Sequence, residues 1–93
     1  MDAASARRCI TPRTKAILVV HHSGLAADMD AFLDLGREFN LPVVEDFAQA
    51  YGTTYKGRMA GTIGCISAFS LNHFKHINCG SGGMIITDDD RLR

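Results

Sequence analysis

Lys75 stands five residues past Ser70, the next-to-last residue of a short apolar run at 66–71. A glycine-rich bend follows at Gly80, Ser81, Gly82 and Gly83. Upstream, a second apolar run at 41–46 ends on two acids, Glu45 and Asp46. An amine and a carboxylate at the ends of neighbouring strands are what a pyridoxal phosphate site requires. The amine condenses with the cofactor aldehyde and later serves as a base, while the carboxylate holds the ring nitrogen protonated and deepens the electron sink. Ser70 and the glycine bend add hydroxyl and backbone donors of the kind that bind a phosphate. An earlier run at 16–20 ends in His21 and His22, which puts His21 at the same type of strand end.

Each of these residues also has a plainer reading. A lysine in a loop is ordinarily a solvated cation, and an aspartate after a strand is ordinarily a turn former. His73, His76 and Cys79 are metal-ligand types at intervals of three, but they lack the paired spacing of a zinc site, so no metal is expected. The glycine bend lacks the Gly-Lys-Ser/Thr ending of a triphosphate-binding loop. Cys65 and Cys79 read as small buried residues rather than nucleophiles.

The elements that must position these groups follow from pattern. Residues 2–9 read as a short helix, and Thr11 and Pro12 break it. The run at 16–20 is rich in branched residues and suits a parallel strand covered on both faces. Asp28 is the expected N-cap of a helix to Phe39, with Met29, Phe32, Leu33, Gly36 and Phe39 on its apolar stripe. Gly36 on that stripe would let the helix approach the sheet closely, and Asn40 and Pro42 stop it. A second strand at 43–45 completes a βαβ unit. Residues 48–64 read as an irregular excursion, and 66–71 as a third strand. Only twelve residues separate that strand from Met84, and they carry no helical pattern, so the fourth strand returns antiparallel. Asp88, Asp89 and Asp90 read as the cap of a new helix. The fold class is therefore α/β, a mainly parallel sheet with one antiparallel strand in one domain over residues 1–93. One convincing helix cannot cover both faces of such a sheet. That favours a part of something larger, and leaves open a non-catalytic, self-associating interaction module that pairs through its exposed sheet.

Composition narrows the class. The chain has 93 residues, 46% hydrophobic and 22% charged, with ten basic and ten acidic residues. That balance excludes a disordered tail and a basic nucleic-acid surface. No apolar run approaches the roughly 20 residues that span a bilayer. Three cysteines without framework spacing point to reduced thiols and a cytoplasmic protein.

Three stretches together carry a family resemblance: "ITPRTKAILVVHHSG", "ADMDAFLDLGREFNLPVVEDFAQAYGTTYKGR" and "GCISAFSLNHFKHINCGSGGMIITDDDRL". From Ile10 to Arg93 the chain resembles the DegT/DnrJ/StrS-type sugar aminotransferases, pyridoxal phosphate enzymes of fold type I, and it corresponds to a central part of their large domain. The resemblance implies roles residue by residue. Asp46 matches the pyridinium-pairing carboxylate, and Gln49 the glutamine beside the ring and its 3′ oxygen. Ser70 matches the phosphate-binding serine, Lys75 the Schiff-base lysine, and His21 the histidine that closes the preceding strand. One branch of the family has histidine at the lysine position and dehydrates; Lys75 here implies transamination, with His76 as its neighbour. Ser81 replaces an acid common in the glycine bend, Phe47 a small residue, and Ser23 an aromatic. The implied partners are a keto-sugar, nucleotide-linked, and an amino-acid donor, glutamate or glutamine, with the full-length form a homodimer.

Family members also carry a ring-stacking aromatic and a substrate-binding domain outside the matched region. The 93 residues alone are therefore expected to have little activity. Mixed with pyridoxal phosphate, they should show no stable absorbance band that depends on Lys75. A strong band abolished by Lys75→Ala would overturn that expectation.

Overall fold

The computed structural model describes residues 1–92. Helix α1 (Ala3–Cys9) leads to strand β1 (Ile17–Val20), helix α2 (Met29–Phe39) and strand β2 (Val43–Asp46). A small hairpin of β3 (Thr54–Tyr55) and β4 (Arg58–Met59) precedes β5 (Ile66–Ser70), β6 (Gly83–Ile86) and a single 3-10 turn at Asp90–Leu92. The main sheet has the order β1-β2-β5-β6. Its first three strands are parallel and β6 is antiparallel to β5, as the short connection requires.

Helix α2 forms where a cap and a stripe coincide. The Asp28 carboxylate accepts from the backbone N–H of Ala31, and Asn40 ends the helix in the left-handed conformation at φ 52°. Met29, Phe32, Leu35 and Gly36 are buried and meet Ile17, Val19 and Val43 of the sheet. Leu35 takes the place on the stripe that the pattern assigns to Phe39. Phe39, the last helical residue, instead turns towards α1, where the Arg7 guanidinium lies 5.2 Å over its ring.

Gly36 is where α2 and the sheet come closest. A Cβ there would stand 2.8 Å from the Leu41 carbonyl and 2.8 Å from Val43 Cγ2. The same turn is closed by Leu41 N–H donating to the Gly36 carbonyl at 2.8 Å. Helix end, loop and strand start thus share one close contact.

The excursion at 48–64 contains regular structure after all. Lys56 and Gly57 sit at φ 49° and 81°, the paired positive values that a tight two-residue hairpin needs. The hairpin is fastened to the start of α2: the Tyr55 hydroxyl donates to Asp28 at 2.7 Å, and Lys56 pairs with Asp30. These bonds have no hydrophobic signature, so periodicity could not announce them.

Helix cover is one-sided. In β1, Ile17 and Val19 are buried against α2, while Leu18 is 56% and Val20 41% exposed. Leu18, Val20, Val44, Asp46, Ile66, Ala68 and Ile85 share the opposite face by register. The expected two-sided burial of the 16–20 run is therefore not met among the described residues, because α2 lies on one side only. No helix among those residues is long and apolar enough to cross a membrane.

Gly36→Ala is expected to destabilise the protein by about 1–3 kcal/mol, because an added methyl must push α2 away from β2. Urea or thermal unfolding checks this, and an unchanged midpoint would contradict the close contact.

Candidate functional site

Strand β2 ends on Glu45 and Asp46, and the period of two sends them to opposite faces. Glu45 turns under the sheet and is fully buried. Its Oε1 accepts from the backbone N–H of Ile63 at 2.7 Å and from that of Gly64. Its Oε2 accepts from Gly61 N–H at 2.7 Å and meets His21 Nε2 at 2.8 Å. Burial pushes this carboxyl up, but the Gly64, Gly61 and Ile63 amides and His21 outweigh it and hold it below its ordinary value of 4.5. On the other side of the imidazole, Nδ1 accepts from Ala27 N–H at 3.1 Å. That bond assigns the proton to Nε2, which donates it to Glu45.

Asp46, on the open face, keeps a carboxylate oxygen available. Its Oδ1 accepts from Ala48 N–H at 3.0 Å, a local turn bond, and Oδ2 takes no partner among the described residues. Asp46 stands level with Ala68 on β5. Ser70, two residues further along, shares that face at the same carboxyl edge of the sheet, and its Oγ is approached by Asn72 N–H at 3.4 Å.

Beyond Ser70 the chain makes the loop that carries Lys75. Its base is closed by Leu71 N–H to Gly82 O at 2.9 Å and Cys79 N–H to Leu71 O at 3.0 Å, and Lys75 N–H closes a turn on Asn72 O. Lys75 is half-buried and its amine forms no ion pair among the described residues. It lines a cleft of about 280 Å³ with Ala48, Gln49, Tyr51, Phe74 and His76. The structure thus brings Lys75 and Gln49 to one cleft, next to the segment that begins with Asp46.

His21 stands at the expected strand end but is not available for the expected role. Both ring nitrogens are engaged and the side chain is fully buried, so it has no polar atom for a cofactor. It acts on the end of β2 through Glu45 instead. Cys79 is exposed and Cys65 half-buried, so neither is the small buried residue the pattern suggested. No group of three or more His, Cys, Asp or Glu side chains is assembled for a metal among the described residues, and His73, His76 and Cys79 form no such set.

Sequence reasoning passed over Glu45, Tyr51 and the role of Phe47. Strand alternation alone could have separated Glu45 from Asp46, since one of two adjacent acids must face the helix side. Phe47 is buried, with ring contacts to His21 at 6.2 Å, Phe69 at 5.3 Å and Tyr51 at 6.2 Å. It fits because residue 61 is glycine: a Cβ there would stand 2.9 Å from the Phe47 ring.

The donor set suits pyridoxal phosphate. A carboxylate oxygen and an amine that have no partner among the described residues, with a hydroxyl at the same strand edge as the carboxylate, are the three chemistries that its pyridinium, aldehyde and phosphate call for.

The sequence profile of the DegT/DnrJ/EryC1/StrS aminotransferase family matches residues 1–93. Over 92 residues the chain is 49% identical to GDP-perosamine synthase of Caulobacter vibrioides, covering 99% of this chain and 25% of that protein. An aminotransferase structure from Psychrobacter cryohalolentis superposes with a TM-score of 0.94 at 43% identity, over 99% of this chain and 24% of that one. An E. coli GDP-4-keto-6-deoxy-D-mannose-3-dehydratase with bound hydrated pyridoxal phosphate gives a TM-score of 0.86 at 32% identity, over 99% and 24%. The chain spans about a quarter of the length of these relatives.

Because the folded-state value of Glu45 is lowered, its stabilising contribution is present above pH 4.5 and is lost as the pH falls below that value. Glu45→Gln turns an amide donor towards backbone donors and should cost about 3–5 kcal/mol at neutral pH. It should also flatten the acid limb of stability. Denaturant unfolding at several pH values decides this, and an unchanged acid limb would refute it.

Proposed function

The chain belongs to the DegT/DnrJ/EryC1/StrS aminotransferase family, and from that premise we propose that it forms the cofactor-bearing centre of a pyridoxal phosphate-dependent aminotransferase. The reaction moves an amino group from glutamate or glutamine to a keto-sugar, nucleotide-linked. The relatives' names, GDP-perosamine synthase and a GDP-keto-deoxymannose dehydratase, support the nucleotide-linked class. The working protein in this reading is a homodimer.

The observation that carries the reading is the grouping of chemistry at one sheet edge. Asp46 and Ser70 lie on the same open face, and Lys75 opens onto a cleft shared with Gln49. When bound, pyridoxal phosphate supplies the electron sink that makes a proton on the substrate carbon removable. Asp46 would hold the ring nitrogen in its protonated form, its Oδ2 having no partner among the described residues. Ser70 would donate its hydroxyl to the phosphate. Gln49 would orient the ring edge, and Lys75 would remove and return the proton at the substrate carbon. A lysine in this role, rather than a histidine, suits amino transfer.

Borohydride trapping in excess pyridoxal phosphate, followed by peptide mapping, tests the assignment. Trapping accumulates from brief encounters, so it reads the site even where equilibrium binding is weak. Label should gather on Lys75 in preference to Lys15 and Lys56, and Asp46→Ala should reduce that preference. Equal labelling of the three lysines would reject the reading.

A further inference from the structure

Tyr51 is a side chain that joins the segment following Asp46 to the segment carrying Lys75. Its hydroxyl donates to the carbonyl of Ser70, the last residue of β5 and the root of the lysine loop. Its ring packs edge-on against Phe69 with centroids 4.4 Å apart and lies 5.8 Å from His76, the neighbour of Lys75. It also lines the cleft with Gln49 and Lys75. The backbone beneath it is fixed from both sides: Phe47 N–H donates to Ala68 O at 2.9 Å, and Thr53 N–H to Ala50 O at 3.1 Å. The backbone bonds at the base of the lysine loop, Leu71 to Gly82 and Cys79 to Leu71, hold it to the β6 side. They do nothing to set its distance from Gln49.

We propose that Tyr51 is the positioning residue for Lys75, bracing the lysine loop against the loop that follows Asp46. The hydroxyl fixes the root of the lysine loop, and the ring supports its far side at His76. The separation between the carboxylate and the amine is set by this brace. The proposal rests on reading Lys75 as the cofactor-binding amine.

The test uses Tyr51→Phe, which keeps the ring and removes only the hydroxyl, and Tyr51→Ala, which removes both. Lys15 has no ion-pair partner among the described residues and serves as the internal reference. Two readings are taken on the same 93-residue protein. Trace acylation with acetic anhydride across a pH series gives the exposure and reactivity of Lys75 relative to Lys15. Borohydride trapping with pyridoxal phosphate gives the preference for Lys75 over Lys15. Losing one hydrogen bond should change local opening by about five-fold. In Tyr51→Phe, relative acylation of Lys75 should therefore rise by up to that factor, while its trapping preference falls by a similar one. Tyr51→Ala should move both further.

Opposite movement of the two readings supports positioning, because simple loosening raises both together. If both rise, or neither moves, the proposal is overturned while the cofactor reading stands. If the unsubstituted protein shows no trapping preference for Lys75, the cofactor reading falls and takes this proposal with it. Should Tyr51→Ala unfold, Lys15 and Lys75 acylate alike, and Tyr51→Phe alone decides.

Discussion

A carboxylate removed from water must be compensated by donors, and at Glu45 the donors come from elements far apart in the chain. Three amides of the 61–64 loop and one imidazole from the end of β1 converge on it. Removing a partner would leave charge or donors buried and unsatisfied, which is costlier than the net worth of any one bond. The ends of β1 and β2 and the approach to β5 are therefore held in one geometry. A strand end fixed in this way has no freedom to slip, because a one-residue shift would exchange Glu45 with Asp46 and bury the wrong acid.

That exclusion of slippage is what presents Asp46 to the open face. The same logic extends along the edge: Asp46 is level with Ala68, and Ser70 follows two residues later on the same side. The register of buried residues thus sets the spacing of the polar ones above them. Gly36, Gly61 and Gly64 act in the same sense, each allowing an approach that a methyl group would block.

Much of this was legible in the residues. Apolar runs mark three of the four main strands, Asp28 and Asn40 mark the ends of α2, and the short connection before β6 forces an antiparallel return. The carboxylate, serine and lysine are visible in the residues as a chemical set; the register puts Asp46 and Ser70 on one face, while Lys75 lies in the loop beyond β5 and lines a cleft with Gln49. What escaped depended on contacts distant in sequence. The Tyr55 and Lys56 bonds to the start of α2, and the fit of Phe47 against Gly61, involve partners that no local period links. His21 was noticed for the right position but the wrong neighbour, since its burial is set by strand alternation and by Ala27, not by its type. Phe39 shows the limit of a helical stripe at a helix end, where another element can claim the side chain.

The donors that reach Glu45 from the 61–64 segment are all main-chain amides. Recognition of that kind is blind to side-chain identity at Thr62 and Ile63, so exchange there is limited only by their other contacts, the Thr62 hydroxyl to the Met59 carbonyl and Ile63 against the core beneath α2. It is not blind to chain length: inserting or deleting one residue would displace every amide from its oxygen. The segment is consequently under metric rather than compositional constraint, and variation there should be by exchange and never by indel.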